Sequence, residues 1–204
     1  MNKSFFRLAI ATAMSMSNGA FALTDTELSA MMAEIQLECS TTATIDECNT
    51  LIQSKIAQLE ADEAIDDSAR VNALALIVET ATSALNSGSA TNTQIATEIS
   101  EIVGSVSTQL STIKSRSPET VSTINSAVSR VVIAVLVVIV EKDLQHDTTA
   151  AASVATALKQ IADESSDNTQ ASAIYSIASI VETGGSILEA TEEMDEVSSF
   201  ASPA

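Results

Sequence analysis

His146 is the only histidine in the chain, so a Ser–His–Asp or Cys–His arrangement would have to use it. Serine is abundant, but no G-x-S-x-G elbow surrounds one. There is no G-x-G-x-x-G, no G-x-x-x-x-G-K-S/T and no H-E-x-x-H. The five glycines are too scattered to cradle a phosphate. Cys39 and Cys48 stand nine residues apart, with no histidine or second cysteine pair beside them. They lack the ligand set of a zinc site and read as a disulfide bonded to each other, which removes the thiol as a nucleophile.

Carboxylates are the remaining chemistry. Glu141, Asp143, His146 and Asp147 gather at one helix junction and carry hard oxygen donors suited to a divalent cation. Their spacing matches no metal loop, so they read as a solvated helix end followed by an Asp N-cap. A second acidic stretch holds Glu60, Asp62, Glu63, Asp66 and Asp67, and a third holds Glu192, Glu193, Asp195 and Glu196. Both read as hydrated charged surface. Paired carboxylates of the glycosidase kind need only proximity in the fold, but the chain has no Trp and one Tyr, which is poor material for a sugar cleft. Tyr175 sits at helical spacing among Ile174, Ile177 and Ile180 and reads as a core-edge residue rather than an acid. No catalytic, cofactor-binding or metal-ligating residue is therefore assigned, and the chain is read as a non-enzyme. Cys39 and Cys48 are its one assigned pair.

Charge narrows the partners. The chain carries 27 acidic and nine basic residues, a net −18. Such a chain is repelled by nucleic-acid phosphates and anionic membrane surfaces. High charge with low hydrophobicity marks disorder, but here 46% of residues are hydrophobic, mostly Ala, Ile, Val and Leu. An aliphatic core is within reach.

Residues 1–22 read as a secretory signal peptide. Lys3 and Arg7 supply the basic start, Leu8 to Met16 the short apolar middle, and Ala20-Phe21-Ala22 the small-x-small cleavage site. The apolar part is too short to span a bilayer. Cleavage after Ala22 leaves residues 23–204 as one acidic domain with seven basic against 27 acidic residues, a net −20. Export to the periplasm, cell surface or medium fits the disulfide.

The elements that must position these residues are helices. Thr24-Asp25-Thr26-Glu27 is a capping-box pattern followed by Leu28, Met31, Met32, Ile35 and Leu37. Thr44-Ile45-Asp46-Glu47 repeats it before Leu51, Ile52, Ile56 and Leu59. A third helix is predicted from about Asp66 to Asn86, ended by Gly88. The fourth shows a single apolar stripe, Ile95, Ile99, Ile102, Val106, Leu110 and Ile113, and stops before Pro118. Ser117-Pro118-Glu119 opens the fifth, with Ser as N-cap. Three more follow: about Asp147 to Glu164, Asn168 to Thr183, and Ser186 to Ser199, the last two separated by Gly184-Gly185.

The fifth helix contains VVIAVLVVIV, Val131 to Val140. Ten apolar residues do not cross a membrane, and no transmembrane segment is read in the mature chain. Apolar residues on every face predict a helix enclosed at the middle of the fold. An echo runs through the chain: Ile77 to Leu85 is IVETATSAL, Ile102 to Leu110 is IVGSVSTQL and Ile180 to Leu188 is IVETGGSIL. Aligned units recur every 23 to 29 residues, one helix plus one turn. The fold class is all-α: an antiparallel multi-helix bundle or short helical-repeat array with one disulfide.

Two functions fit. One is an exported structural or interaction protein that docks a protein partner or its own copies by helix faces, with Val131 to Val140 as the interface wherever its own chain leaves it uncovered. The alternative is a carrier that opens an aliphatic cavity for an apolar ligand such as a lipid.

Overall fold

The computed structural model describes residues 24–41, 45–185, 187, 197 and 199. The signal-like segment 1–22, Leu23, Thr44 of the second capping pattern and the acids Glu192, Glu193, Asp195 and Glu196 lie outside the described residues, as does most of the helix expected over 186–199. Among the described residues there are seven α-helices: α1 Asp25–Thr41, α2 Ile45–Ala61, α3 Asp67–Ser87, α4 Asn92–Arg116, α5 Val121–Lys142, α6 Thr148–Ala162 and α7 Asn168–Glu182. Short 3₁₀ turns, Pro118–Thr120 and Leu144–His146, flank α5.

Local chemistry sets the boundaries. Thr24 and Glu27 close the expected capping box on α1, with Thr24 N donating to Glu27 Oε2 at 2.8 Å and Glu27 N to Thr24 Oγ1 at 3.2 Å. Thr91 and Gln94 close a second box on α4. Asp66, Asp147 and Asp167 each accept from backbone N–H groups in the first turn of α3, α6 and α7. Gly88 ends α3 as expected, but with φ −77° and ψ 176°, a conformation open to any residue; its N–H bonds the Leu85 carbonyl at 3.2 Å. Ser117 precedes the Pro118 turn but does not cap it. Its hydroxyl is drawn instead to Asp67 at the start of α3.

Consecutive helices run antiparallel. Cys39 pairs with Cys48 and Glu34 with Lys55, so positions on α1 fall as those on α2 rise. Alternate helices run parallel. Thr80 on α3 meets Met32 on α1. Arg130 and Glu141 on α5 meet Glu79 and Asn86 on α3. Gln53 on α2 meets Ser105 on α4, and Lys114 on α4 meets the Glu164 carbonyl after α6. The molecule is thus a two-layer array, with α1, α3 and α5 side by side in one layer and α2, α4 and α6 in the other. The separations across these hydrogen bonds run from 48 to 55 residues. That is about twice the 23-to-29-residue spacing of the sequence echo, because the spatial repeat is a pair of helices. Leu74, Ile99 and Ile177, which share one column of the echo, are all buried.

The core lies between the layers and is almost purely aliphatic. Burial of each Val, Leu or Ile side chain contributes roughly 1.5–3 kcal/mol. All six residues of the α4 stripe are buried. In α1, Met31 and Ile35 are buried, but Leu37 is 63% exposed. It follows Ile35 by two positions, which a helix places on different faces, so the expected stripe ends at Ile35.

α5 departs from its expected enclosure. Val131, Val132, Val135, Leu136, Val138 and Ile139 are buried, whereas Ile133, Val137 and Val140 are 37%, 47% and 46% exposed. Their spacing of four and three makes one narrow uncovered strip. α3 is enclosed as fully as α5, by alanines (Ala73, Ala75, Ala81, Ala84) that permit close approach. With its leading turn, Pro118–Lys142 is long and apolar enough to cross a bilayer by length and composition, although the bare run of ten is not. Here it packs against α3, α4 and α6.

A buried polar knot ties α7 to this layer. Gln170, fully buried, donates to the Asn125 carbonyl at 2.8 Å and to Ser129 Oγ at 2.7 Å. Ser129 donates onward to the Val197 carbonyl at 2.6 Å. Both residues are satisfied without water, as burial demands.

Candidate polar groove

The apolar stripe of α4 turns inward and leaves a face of small polar residues outward. α2 and α6 stand on either side of it. Above α4 they border a groove of about 880 Å³ lined by Asn49 and Gln53 of α2, Glu101, Gly104 and Thr108 of α4 and Gln160 of α6. A second groove of about 410 Å³ continues toward Thr112, Asp163 and Glu164 and shares Gly104, Thr108 and Gln160 with the first.

Gly104 forms the narrow point. A Cβ added there would stand 3.2 Å from Gln160 Oε1, so the missing side chain gives the glutamine its room.

The hydroxyls of the α4 face spend their protons on their own helix. Ser105 donates to the Glu101 carbonyl, Thr108 to Gly104 and Thr112 to Thr108, each at 3.0 Å. Each hydroxyl keeps lone pairs facing outward. The amide donors of the wall are also engaged: Asn49 Nδ2 bonds Glu101, and Gln53 Nε2 bonds Ser105 Oγ at 2.6 Å and Asn49 Oδ1 at 3.2 Å. Two polar atoms of the groove wall are buried without a partner, the Gln160 Oε1 oxygen and the Ser107 hydroxyl. Ser107 is only 6% exposed and opens into the second groove. Burial pushes the Glu164 carboxyl above the usual carboxylate range, Lys114 pulls it back, and Asp163 adds to the rise. The groove presents hydroxyl and amide groups between its acidic ends, with the Asn49 and Gln53 amides bonded within the wall.

The residues singled out by sequence are placed as follows. Cys39 and Cys48 form a disulfide with a Cα–Cα distance of 4.8 Å, joining the end of α1 to the start of α2. Asp143 ends α5 in the left-handed region at φ 57°, which Asp tolerates through its short polar side chain. His146 Nδ1 lies 2.6 Å from Asp143 Oδ1 on an exposed turn. Asp147 caps α6, and Glu141 turns to Asn86 on α3. Among the described residues no three His, Cys, Asp or Glu side chains gather closely enough to hold a metal ion. In the second acidic stretch, Asp67 binds Arg70, Arg116 and Ser117. The Arg116 guanidinium holds its carboxyl down to about 2, against the burial that pushes it up, with Ser117 and Arg70 adding to the depression. Tyr175 is 40% exposed, and its hydroxyl donates to Asp163, which raises the phenol above its ordinary range.

Sequence reasoning did not find the groove. Its signal was present in the alternation of the α4 stripe with Ser100, Gly104, Thr108 and Thr112, but only the parallel neighbours α2 and α6 turn that face into a concavity. A third cleft of about 390 Å³ lies near Leu28, Ile65, Ala73 and Leu76, with Asp25 and Arg130 at its edge.

No family model, curated protein or solved structure matches the chain. The fold and groove define an all-α protein: a disulfide-clamped two-layer helical array with an open polar face.

Proposed function

We propose that the chain is an exported, non-enzymatic interaction protein that docks a partner on the α2–α4–α6 face. The observation that carries this reading is the polar groove over α4, with carboxylates toward its ends. It offers shape and unpartnered polar atoms but no activated nucleophile. Parallel helix arrays present extended concave surfaces of this kind to other macromolecules. Export is supported by the order of basic, apolar and small residues in 1–22 and by the Cys39–Cys48 bond, which suits an oxidising compartment. N-terminal sequencing of exported protein should return Leu23; a chain retaining Met1 would sink the export part.

Self-association through Ile133, Val137 and Val140 is the weaker form of the reading. Three half-exposed aliphatic side chains fall well short of the roughly 800 Å² per partner that a stable interface buries. The carrier alternative would draw on the cleft at Leu28, Ile65, Ala73 and Leu76. Size-exclusion chromatography with native mass spectrometry separates these outcomes. A monomer free of apolar cargo is expected. A dimer would assign the α5 strip to a second copy, and a co-purifying lipid would replace docking with carriage.

A further inference from the structure

We propose that the partner segment seated in the α4 groove is an extended, lysine- or arginine-rich peptide. This rests on the docking reading above and names its chemistry. Three observations on the groove converge.

The first is the sign of its charge. Glu101 lines one end, Asp163 and Glu164 the other, in a chain of net −18. Lys114, bound to the Glu164 carbonyl at 3.0 Å, is the one basic side chain bonded at its border among these contacts.

The second is the direction of its hydrogen bonds. Ser105, Thr108 and Thr112 donate inward, and Asn49 and Gln53 donate within the wall. The oxygens of these engaged groups keep lone pairs that can accept from a ligand. The third is a pair of unpartnered polar atoms, the Ser107 hydroxyl and Gln160 Oε1, buried at the second groove. A buried polar atom without a partner is costly, because its desolvation is not repaid. A ligand that partners either atom as its side chain turns toward the groove recovers that cost on binding.

A peptide meets all three better than a free polyamine. The acids sit toward the ends, and neutral acceptors occupy the stretch between them. Backbone N–H groups supply donors along that stretch, where a polyamine would lay methylenes against hydroxyl oxygens. From Ser100 to Thr112 the α4 face runs about 18 Å at 1.5 Å per residue, room for about five extended residues.

The test is fluorescence anisotropy of a labelled hexalysine peptide with the purified protein at low salt, with hexaglutamate and spermine as further arms. Hexalysine is expected to bind and hexaglutamate not. Thr108→Lys puts a cation at an exposed position shared by both grooves, and should weaken binding about tenfold or more through like-charge repulsion. Glu101→Lys, also exposed, is the second variant and should act in the same direction. Ser122→Lys makes a single-charge change on the exposed face of α5 and should alter affinity less than twofold. Circular dichroism confirms that each variant is folded. Equal loss in Thr108→Lys and Ser122→Lys would mean diffuse charge attraction and overturn the groove assignment. Spermine binding as tightly as hexalysine would assign the groove to free polyamines and overturn the peptide. No hexalysine binding by a protein free of apolar cargo would overturn this inference alone, whereas a lipid-loaded protein would remove the docking reading beneath it.

Discussion

Gln160 of α6 reaches across the seam to Gly104 of α4, and its Oε1 lies 3.2 Å from where a Cβ on Gly104 would stand. The contact is with the far end of a flexible side chain rather than with backbone. Gly104→Ala therefore displaces Gln160 by a few tenths of an ångström and gains helix propensity. The expected result is a stabilisation of about 0.5–1 kcal/mol, seen as a rise in the thermal midpoint. A fall would show that Gln160, half-buried at the seam, has no room to give.

The uneven burial of α5 gives a paired test within one run of valines. Val135 is 1% exposed and Val137 47% exposed. An aspartate at Val135 must ionise in an apolar site or stay protonated, and either costs several kcal/mol. Val135→Asp should prevent soluble folding. Val137→Asp should fold and melt within about 1 kcal/mol of the parent. Ser122→Asp, exposed near the start of α5, should also be tolerated, helped by the positive end of the helix dipole. Circular dichroism melts of the three variants decide it.

The disulfide closes a short loop between α1 and α2. On the chain-entropy model it contributes about 2–3 kcal/mol. Cys39→Ser with Cys48→Ser should lower the urea midpoint accordingly. Intact mass before and after reduction should differ by two hydrogens in the native protein. Free thiols in unreduced exported protein would refute the bond.

Asp67 joins the start of α3 to the end of α4 through Arg116 and Ser117, and its carboxyl is held at about 2 against an ordinary 3.8. A depressed carboxylate stabilises the fold above its unfolded value and loses that contribution as pH falls through the folded one. The window is therefore about pH 4 down to about pH 2. The shift corresponds to about 2 kcal/mol, for a side chain 17% exposed. Asp67→Asn should destabilise by about that amount at pH 7, and the gap between variant and parent should close toward pH 2. Urea denaturation across pH 2–7 measures it; a gap independent of pH would show that packing rather than charge sets the effect.

The helices themselves were legible in the sequence because their causes are local. Apolar spacing, a capping threonine or aspartate, Pro118 and the Gly184-Gly185 break all act within a turn or two of where they stand, and α3 to α7 begin and end close to the positions these residues imply. The disulfide was legible for the same reason, since nine residues of chain bring Cys39 to Cys48. The echo of about 25 residues was also visible, but not that its geometric unit is twice as long.

What the sequence alone determined is the set of faces: which side of each helix is apolar, and that the chain is acidic and aliphatic. Which faces meet was decided by the tertiary structure. Val131 to Val140 reads as uniformly apolar, and only the placement of α3, α4 and α6 leaves Ile133, Val137 and Val140 uncovered. The polar side of α4 reads as ordinary solvated surface, and only its flanking by α2 and α6 makes it a groove with Ser107 and the Oε1 atom of Gln160 buried at it. The physical reason is range. Helix formation is settled by residues three and four apart, whereas a concavity is settled by side chains about fifty residues apart, and the echo along the chain does not say which of their faces meet.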